Sequence, residues 1–302
     1  MPAYNHEKYI SQAIESVLAQ KTNYPYELLI HDDCSTDNTL TIAQNYATKF
    51  PDKIKLFTEK ENQGLIKSYK RLIEQSKGKY LAILESDDYW LDKNKLQIQI
   101  DFLENNPDYG IVAGDIITID DEGNEIKKGG FNSDKASTDF WYTKLLGLSG
   151  FEGACAIIFR RDLFNIYCNI NDYIDLGFKT FDQPSWLSIS YHSKCKVIPK
   201  ILAAYRHTST SLSNNTLFEK HIDFILNIIG IEKYIIEKYG LNGITQDEYN
   251  NRISFIIMGK ALKFHKLKLF CEYAKKLKPI SIKQKFMHFF PHLYYWQFII
   301  RH

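Results

Sequence analysis

No Cys-x-x-Cys pair occurs in the chain, and its five cysteines, Cys34, Cys155, Cys168, Cys195 and Cys271, are scattered and odd in number. That spacing argues against a zinc site and a disulfide framework, and favours unpaired thiols in a reducing compartment. No apolar run reaches the roughly 18–20 residues that a membrane-spanning helix requires. The N-terminus lacks a basic segment followed by an apolar one, so no signal peptide is expected. These absences predict a cytoplasmic protein. A glycine-rich phosphate loop is also missing from the opening residues, where "PAYNHEK" contains no glycine.

What is present describes a folded chain. With 302 residues, 44% hydrophobic and 25% charged, it can bury the core of one large domain or two small ones. Its net charge of +2 hides an asymmetry. From Lys260 to His302 there are ten Lys/Arg and one acid, Glu272, whereas the rest of the chain has 28 basic and 35 acidic residues. The end of that basic stretch interleaves its cations with Phe286, Phe289, Phe290, Tyr294, Tyr295, Trp296 and Phe298. An anionic bilayer surface attracts such a mixture, which makes peripheral membrane contact one reading of the tail. A last helix packed on the body, its lysines solvated, is the other. Nucleic acid is not expected as a partner, because the basic charge is confined to the tail.

Strand and helix alternate through the first 120 or so residues. "HEKYISQAIESVLAQ" places Tyr9, Ile10, Ala13, Ile14, Val17 and Leu18 on one helical face. "YELLIHDD" is a buried strand ending in acids, and "STDNTLTIAQNYATKF" begins with cap-type residues before its apolar repeat. "KIKLFTE" reads as a strand, "GLIKSYKRLIEQS" as a helix and "KYLAILESDD" as a third strand. The expectation is a mostly parallel sheet with helices on both faces. Ligands bind beyond the carboxyl ends of such strands, where both Asp32-Asp33 and Glu85 to Asp88 fall. After about residue 215 the pattern is helical, which sets expected domains of 1–215 and 216–302.

"LAILESDDYW" delivers three carboxylates and two aromatics at the end of an apolar run. In oxygen-only surroundings such carboxylates suit a hard divalent cation, Mg²⁺ or Mn²⁺, which keeps waters and bridges to a phosphorylated ligand. The plainer reading is a solvated acidic turn.

An ordered set of motifs over roughly residues 2–210 resembles the family 2 glycosyltransferases, whose nucleotide-sugar domain has the GT-A (Rossmann-like) fold. The set comprises "PAYNHEKYISQAIESVLAQ", "YELLIHDDCSTDNT", "ENQG", "GKYLAILESDDYW", "DKNKLQIQIDFLENNP", "GACAIIFRRDLF", "FDQPSW" and "LAAYRHTSTSLS". The resemblance implies transfer of a sugar, with inversion, from a nucleoside-diphosphate sugar to a glycan or lipid-linked acceptor. The product implied is a surface polysaccharide or similar glycan, and UDP-sugar is the default donor.

Residue by residue, the resemblance implies that Pro2, Ala3 and Tyr4 meet the base and that Asp33 reads its edge. "ESDD" stands at the Asp-x-Asp region, with Glu85 in place of the usual first aspartate. Asp87 is implied near ribose and metal, with Asp87 or Asp88 holding the cation. Asp182 falls at the general base, although its place before Gln183-Pro184 also suits a helix cap. Gly153 and its neighbours in 152–155 would line the acceptor side, and Arg206 or His207 would approach the diphosphate. Tyr69 and Lys70 stand where the family commonly has Arg-Asn. Met1 alone precedes Pro2 where the family has a longer apolar strand, so the chain is expected to start inside that strand. A sugar-1-phosphate nucleotidyltransferase would require the missing glycine-rich loop. A non-enzymatic phosphoacceptor domain would end near residue 120–130, well short of "FDQPSW".

Overall fold

Apolar residues at helical spacing produce α1 (Ile10–Leu18), which buries Ile10, Ala13, Ile14 and Val17 on one face. It joins β1 (Pro2–Ala3) to β2 (Leu28–Asp32), and α2 (Thr39–Lys49) joins β2 to β3 (Ile54–Thr58). The three strands lie parallel in the order β1-β2-β3, with Ala3 level with Asp32 and Asp32 level with Thr58. Parallel neighbours require crossovers, and the two helices supply them. β2 is central and buried at all five positions, which explains its unbroken run before the acids. α3 (Leu65–Gln75) follows β3. The computed structural model describes residues 1–129, 141–147, 153–208, 217–279 and 281–301.

The expected α/β architecture is present, but beyond β3 the sheet is mixed rather than parallel. β4 (Tyr80–Ala82) pairs antiparallel with β8 (Ile157–Arg160) in a sheet ordered β4-β8-β6-β9-β5. Here β5 is Tyr89–Trp90, β6 is Tyr109–Ile119 and β9 is Lys194–Arg206; β7 (Glu125–Lys128) pairs with β6. Among the described residues, β6 and β9 form this sheet's parallel pair. The strand expected through residue 88 ends at Ala82, apart from one 3.5 Å bond from Ile83 N–H to the Ile157 carbonyl. The chain then turns, and Asp88 N–H donates to the Glu85 carbonyl at 3.1 Å. A continued strand would send its acids alternately to both faces, whereas the turn gathers them.

Two compact units emerge. The first contains Met1–Tyr142 and the described part of 151–216. Its core includes Ile14, Ile30, Leu103, Val112, Ile116 and Ala203. α4 (Lys95–Asn105), α5 (Arg161–Tyr167), α6 (Ile170–Asp175) and α7 (Asp182–His192) complete it. α7 is buried from Gln183 to Ser190, so its sequence shows little amphipathic pattern.

The second unit is helical: α8 (Phe218–Tyr239), α9 (Gln246–Lys263), α10 (Leu267–Lys276), α11 (Ile282–Phe289) and α12 (Pro291–Arg301). It also takes in 143–147, where Glu232 accepts from Gly147 N–H at 3.1 Å and Arg252 donates to the Thr143 and Leu146 carbonyls. Capping boxes at Thr245/Glu248 and Ser281/Gln284 start α9 and α11. Met258, Phe270, Ala274, Met287 and Tyr295 form this unit's core. Among the described residues, no helix is long and apolar enough to cross a membrane.

Candidate active site

Four loops meet beyond the carboxyl ends of the first unit's strands, and their own polar groups tie them together. After β1, Asn5 adopts φ 55° and its side chain accepts from Thr36 N–H at 2.8 Å, while His6 N–H donates to the Thr39 hydroxyl. His6 Nδ1 lies 2.7 Å from the Ser86 hydroxyl, which joins the β1 loop to the acidic turn. After β2, Asp33 accepts from Gln63 N–H at 2.7 Å through one oxygen and from Gly64 N–H at 2.8 Å through the other. Those amides lie at the start of α3, where a carboxylate is favoured by the helix dipole. Two of the roughly four lone-pair positions on Asp33 remain open. Beside it, buried Asp32 accepts from Ser35 N–H at 3.0 Å through Oδ2, and Oδ1 has no hydrogen-bond partner. Pro2 and Ala3 are buried in β1, and Tyr4 at its end is 44% exposed.

Ligand oxygens of Glu85, Asp87 and Asp88 lie within 4.8 Å of one another. Two carboxylates at about 4 Å repel by about 4 kcal/mol at an effective dielectric of 20, so three ionised together require a compensating charge. Burial, then Asp87, then Asp182 push Glu85 up to about 8. Asp88 is raised well above the usual range by burial, Asp87 and Glu85, although it accepts from Arg206 N–H at 2.7 Å. The Cys155 thiol lies against it and is itself raised by burial and by Asp88. Without a cation such a site holds protons; with a hard divalent cation the same oxygens are ligands. The donor set fits Mg²⁺ or Mn²⁺.

Asp182, the first residue of α7, is near enough to contribute to raising Glu85. Its Oδ1 accepts from Gln183 N–H at 2.8 Å and from the Thr180 hydroxyl, which leaves Oδ2 to take a proton. The cap position of α7 is Phe181, without a side-chain cap bond, so Asp182 is not the helix cap; its contact satisfies the open amide of Gln183 at the helix start. Burial raises Asp182 to about 6.

Tyr69 is the connection that the motifs did not supply. Its hydroxyl donates to Glu85 at 3.0 Å, and its ring stacks on Phe181 at 4.2 Å and 16°, one residue before Asp182. The only sequence signal was its departure from Arg. His6 and Ser86 gave none. Lys95, within the quoted "DKNKL", is fully buried with its Nζ 4.3 Å from the Trp90 ring, and burial lowers it to about 7. Trp90 in turn donates to the Cys155 carbonyl at 2.9 Å.

Arg206 does not serve as expected. Its guanidinium donates to the carbonyls of Asp87, Asp120 and Asp121 and to Gln12 Oε1, and it lies over the Tyr9 ring at 4.5 Å. Four of its five donors are thus engaged, and the side chain braces the acidic turn rather than facing a diphosphate. His207 is exposed, its ring edge-on to Tyr205 at 5.9 Å. Gly153 has φ 87° and starts the short turn that carries Cys155 to Asp88. Residue 152 lies outside the described residues.

A three-stranded parallel sheet, a mixed sheet beside it and carboxylates gathered at the strand ends are the arrangement of the GT-A nucleotide-sugar fold. The chain belongs to glycosyl transferase family 2, whose family model matches residues 1–166. The WfgD protein of Escherichia coli, a UDP-Glc:alpha-D-GlcNAc-diphosphoundecaprenol beta-1,3-glucosyltransferase, is 30% identical over 258 residues, 78% of this chain and 94% of that one. EpsE of Bacillus subtilis, a putative glycosyltransferase, is 36% identical over 123 residues, 41% of this chain and 44% of its own length. An uncharacterized Mycobacterium tuberculosis protein is 35% identical over 121 residues, 40% of this chain, and the match spans 35% of that relative. Among solved structures, S. aureus TarS 1–349 with UDP-GlcNAc matches with a TM-score of 0.61 at 17% identity, covering 91% of this chain and 80% of that one. The mannosyltransferase PcManGT of Pyrobaculum calidifontis with GDP-Man and Mn²⁺ matches at 0.52 and 14%, covering 96% and 86%. These two likenesses show the fold.

Proposed function

We propose that this chain is a divalent-cation-dependent, inverting glycosyltransferase, moving a hexose from a nucleoside-diphosphate sugar to a hydroxyl of a glycan or lipid-linked acceptor in polysaccharide synthesis at the cell envelope. The observation that carries the reading is the Glu85–Asp87–Asp88 cluster, tied by His6–Ser86 to the β1 loop and by Tyr69, stacked on Phe181, to the start of α7 where Asp182 stands. WfgD and TarS, by the donors in their descriptions, support UDP-sugar; WfgD supports a lipid-linked acceptor, and PcManGT supports Mn²⁺. The cytoplasmic side of the membrane is the location that fits such an acceptor.

Each residue then has a task. Tyr4 offers an exposed ring at the mouth of the crevice, Pro2 and Ala3 form the floor beneath it, and Asp33 has lone pairs left for a base N–H. Asp87 and Asp88 would hold the cation with Glu85 beside them, and Arg206 fixes the turn from behind. When bound, the cation supplies positive charge against which the departing diphosphate is stabilised. Asp182, ionised above about 6, takes the proton of the acceptor hydroxyl through Oδ2 as that oxygen attacks C1 from the face opposite the diphosphate. Gly153 shapes the turn of residues 153–155 on the acceptor side, and the exposed His207 imidazole would donate an N–H to a phosphate oxygen.

A thermal-shift panel of UDP, GDP and their sugars, each with and without Mn²⁺, tests the reading. The expected result is a rise in melting temperature with UDP or UDP-sugar that requires Mn²⁺ or Mg²⁺, since a ligand of the native state stabilises it. Cation-independent binding, or indifference to every nucleotide, would overturn the reading.

A further inference from the structure

The tail has two faces. Inward, Met287 and Tyr295 join the second unit's core, Phe270 packs on the rings of Tyr294 and Tyr295 at 6.1 and 5.5 Å, and His288 Nδ1 lies 3.2 Å from the Ala274 carbonyl. Outward, α11 exposes Ile282, Lys283, Lys285 and Phe289, and α12 exposes Leu293 and Trp296, with Phe290 exposed between them. Phe289 is 66% and Trp296 54% exposed, a heavy load of apolar surface to leave in water. Beside these side chains stand the exposed Lys283 and Lys285, and residues 273–302 contain no acid.

We infer that the outer face of α11 and α12 is a docking surface for an anionic lipid bilayer. Aromatic and aliphatic side chains bordered by lysines match a bilayer's apolar boundary beneath negative headgroups. A second copy of the chain would set Lys283 and Lys285 against their own equivalents. Bases of a nucleic acid would find stacking partners in Phe289 and Trp296, but no use for Ile282 and Leu293. The core contacts hold the helices independently of the outer residues, so the surface is displayed on a packed frame. Docking there is separate from the transfer chemistry, and nucleotide binding without vesicles reads that chemistry alone.

Trp296 provides a built-in probe, because Trp90, Trp141 and Trp186 are buried. The full chain is mixed with vesicles of phosphatidylcholine alone or with phosphatidylglycerol added. Recovery in the vesicle pellet and the tryptophan emission maximum are then recorded. Sedimentation with the anionic vesicles and a blue shift are expected, both fading as salt shortens the screening length towards about 8–10 Å. Trp296→Phe should abolish the blue shift while binding persists. Lys283→Ser with Lys285→Ser should weaken binding about 25-fold, at about fivefold for each lysine near the surface. Phe289→Ser with Leu293→Ser should weaken it while leaving far-UV dichroism and nucleotide binding unchanged. Equal recovery with both vesicle types overturns the inference. So does a dimer, or binding to a single-stranded oligonucleotide, that those substitutions abolish in a chain that ignores vesicles.

Discussion

Asp87 and Asp88 share a turn with Glu85 so tightly that removing one charge relieves the others. Asp88→Asn keeps an oxygen able to accept from Arg206 N–H, so the turn should hold and apo stability should be unchanged or slightly raised. Cation-dependent nucleotide binding by calorimetry should be lost in Asp88→Asn and in Asp87→Asn; wild-type binding in both would remove the cation site. Asp182 acts at a different step. As a base it works ionised, so the turnover rate should rise with pH through about 6, and Asp182→Asn should depress turnover with donor binding nearly unchanged. If the variant instead loses donor binding and keeps its rate, Asp182 is not the base. Tyr69→Phe retains the ring on Phe181 and deletes the bond to Glu85, which should reduce stability by about 1–3 kcal/mol in urea unfolding. The carboxylates were legible in the sequence because acids after an apolar run are conspicuous. Tyr69 was not, since a tyrosine in an amphipathic helix looks the same whether it fills core or bonds a carboxylate. Arg206 was misread for a related reason: sequence shows a cation, not the carbonyls already engaging it.

At the scale of elements, periodicity was most informative where one face meets core and the other water. α1, α2, α3, β2 and β3 fall where their patterns placed them. Pattern failed at Ile83–Leu84, two buried apolar residues that continue the run of β4 without continuing its ladder. The sequence could not tell a strand from a buried approach to a turn, and the pairing partners of β4, Ile158 to Arg160, lie far along the chain and decide its direction. α7 was legible from its acid and proline rather than from amphipathicity, because it is enclosed on all sides. Gly153 is an element boundary of another kind. Its φ of 87° disfavours a side chain, and a Cβ there would come within 2.7 Å of the buried Ile116 side chain. Gly153→Ala should therefore destabilise the protein by more than about 1 kcal/mol and displace Cys155 from Asp88. Melting temperature and nucleotide affinity should fall together. An unchanged melting temperature would mean that the turn relaxes freely and does not hold Asp88.

For the whole molecule, the buried carboxyls set how stability responds to pH. Glu85 is raised from 4.5 to about 8, Asp182 from 3.8 to about 6, and Asp88 well above its ordinary value. A group whose native pKa is raised binds its proton more tightly folded than unfolded, so its contribution is full below the unfolded value and lost as pH climbs. His221, lowered by burial and by Lys260 and Lys263, pulls the other way, and Lys95, lowered to about 7, joins it only above that pH. Glu27, Asp37 and Asp92 are held below their ordinary values, so their contribution is lost only as pH falls below the carboxylate range. Between about 5 and about 6, three raised carboxyls therefore outweigh one lowered imidazole, and the melting temperature of the cation-free protein should decline. Mn²⁺ with UDP should reverse that slope, because the bound cation favours the ionised cluster and competes with its protons. Asp88→Asn should flatten both trends. A pH series of melting curves, with and without Mn²⁺ and UDP, checks all three. If the wild-type protein keeps one melting temperature across that window and gains the same increment from the ligands at every pH, the carboxylates are not where protons and cation compete.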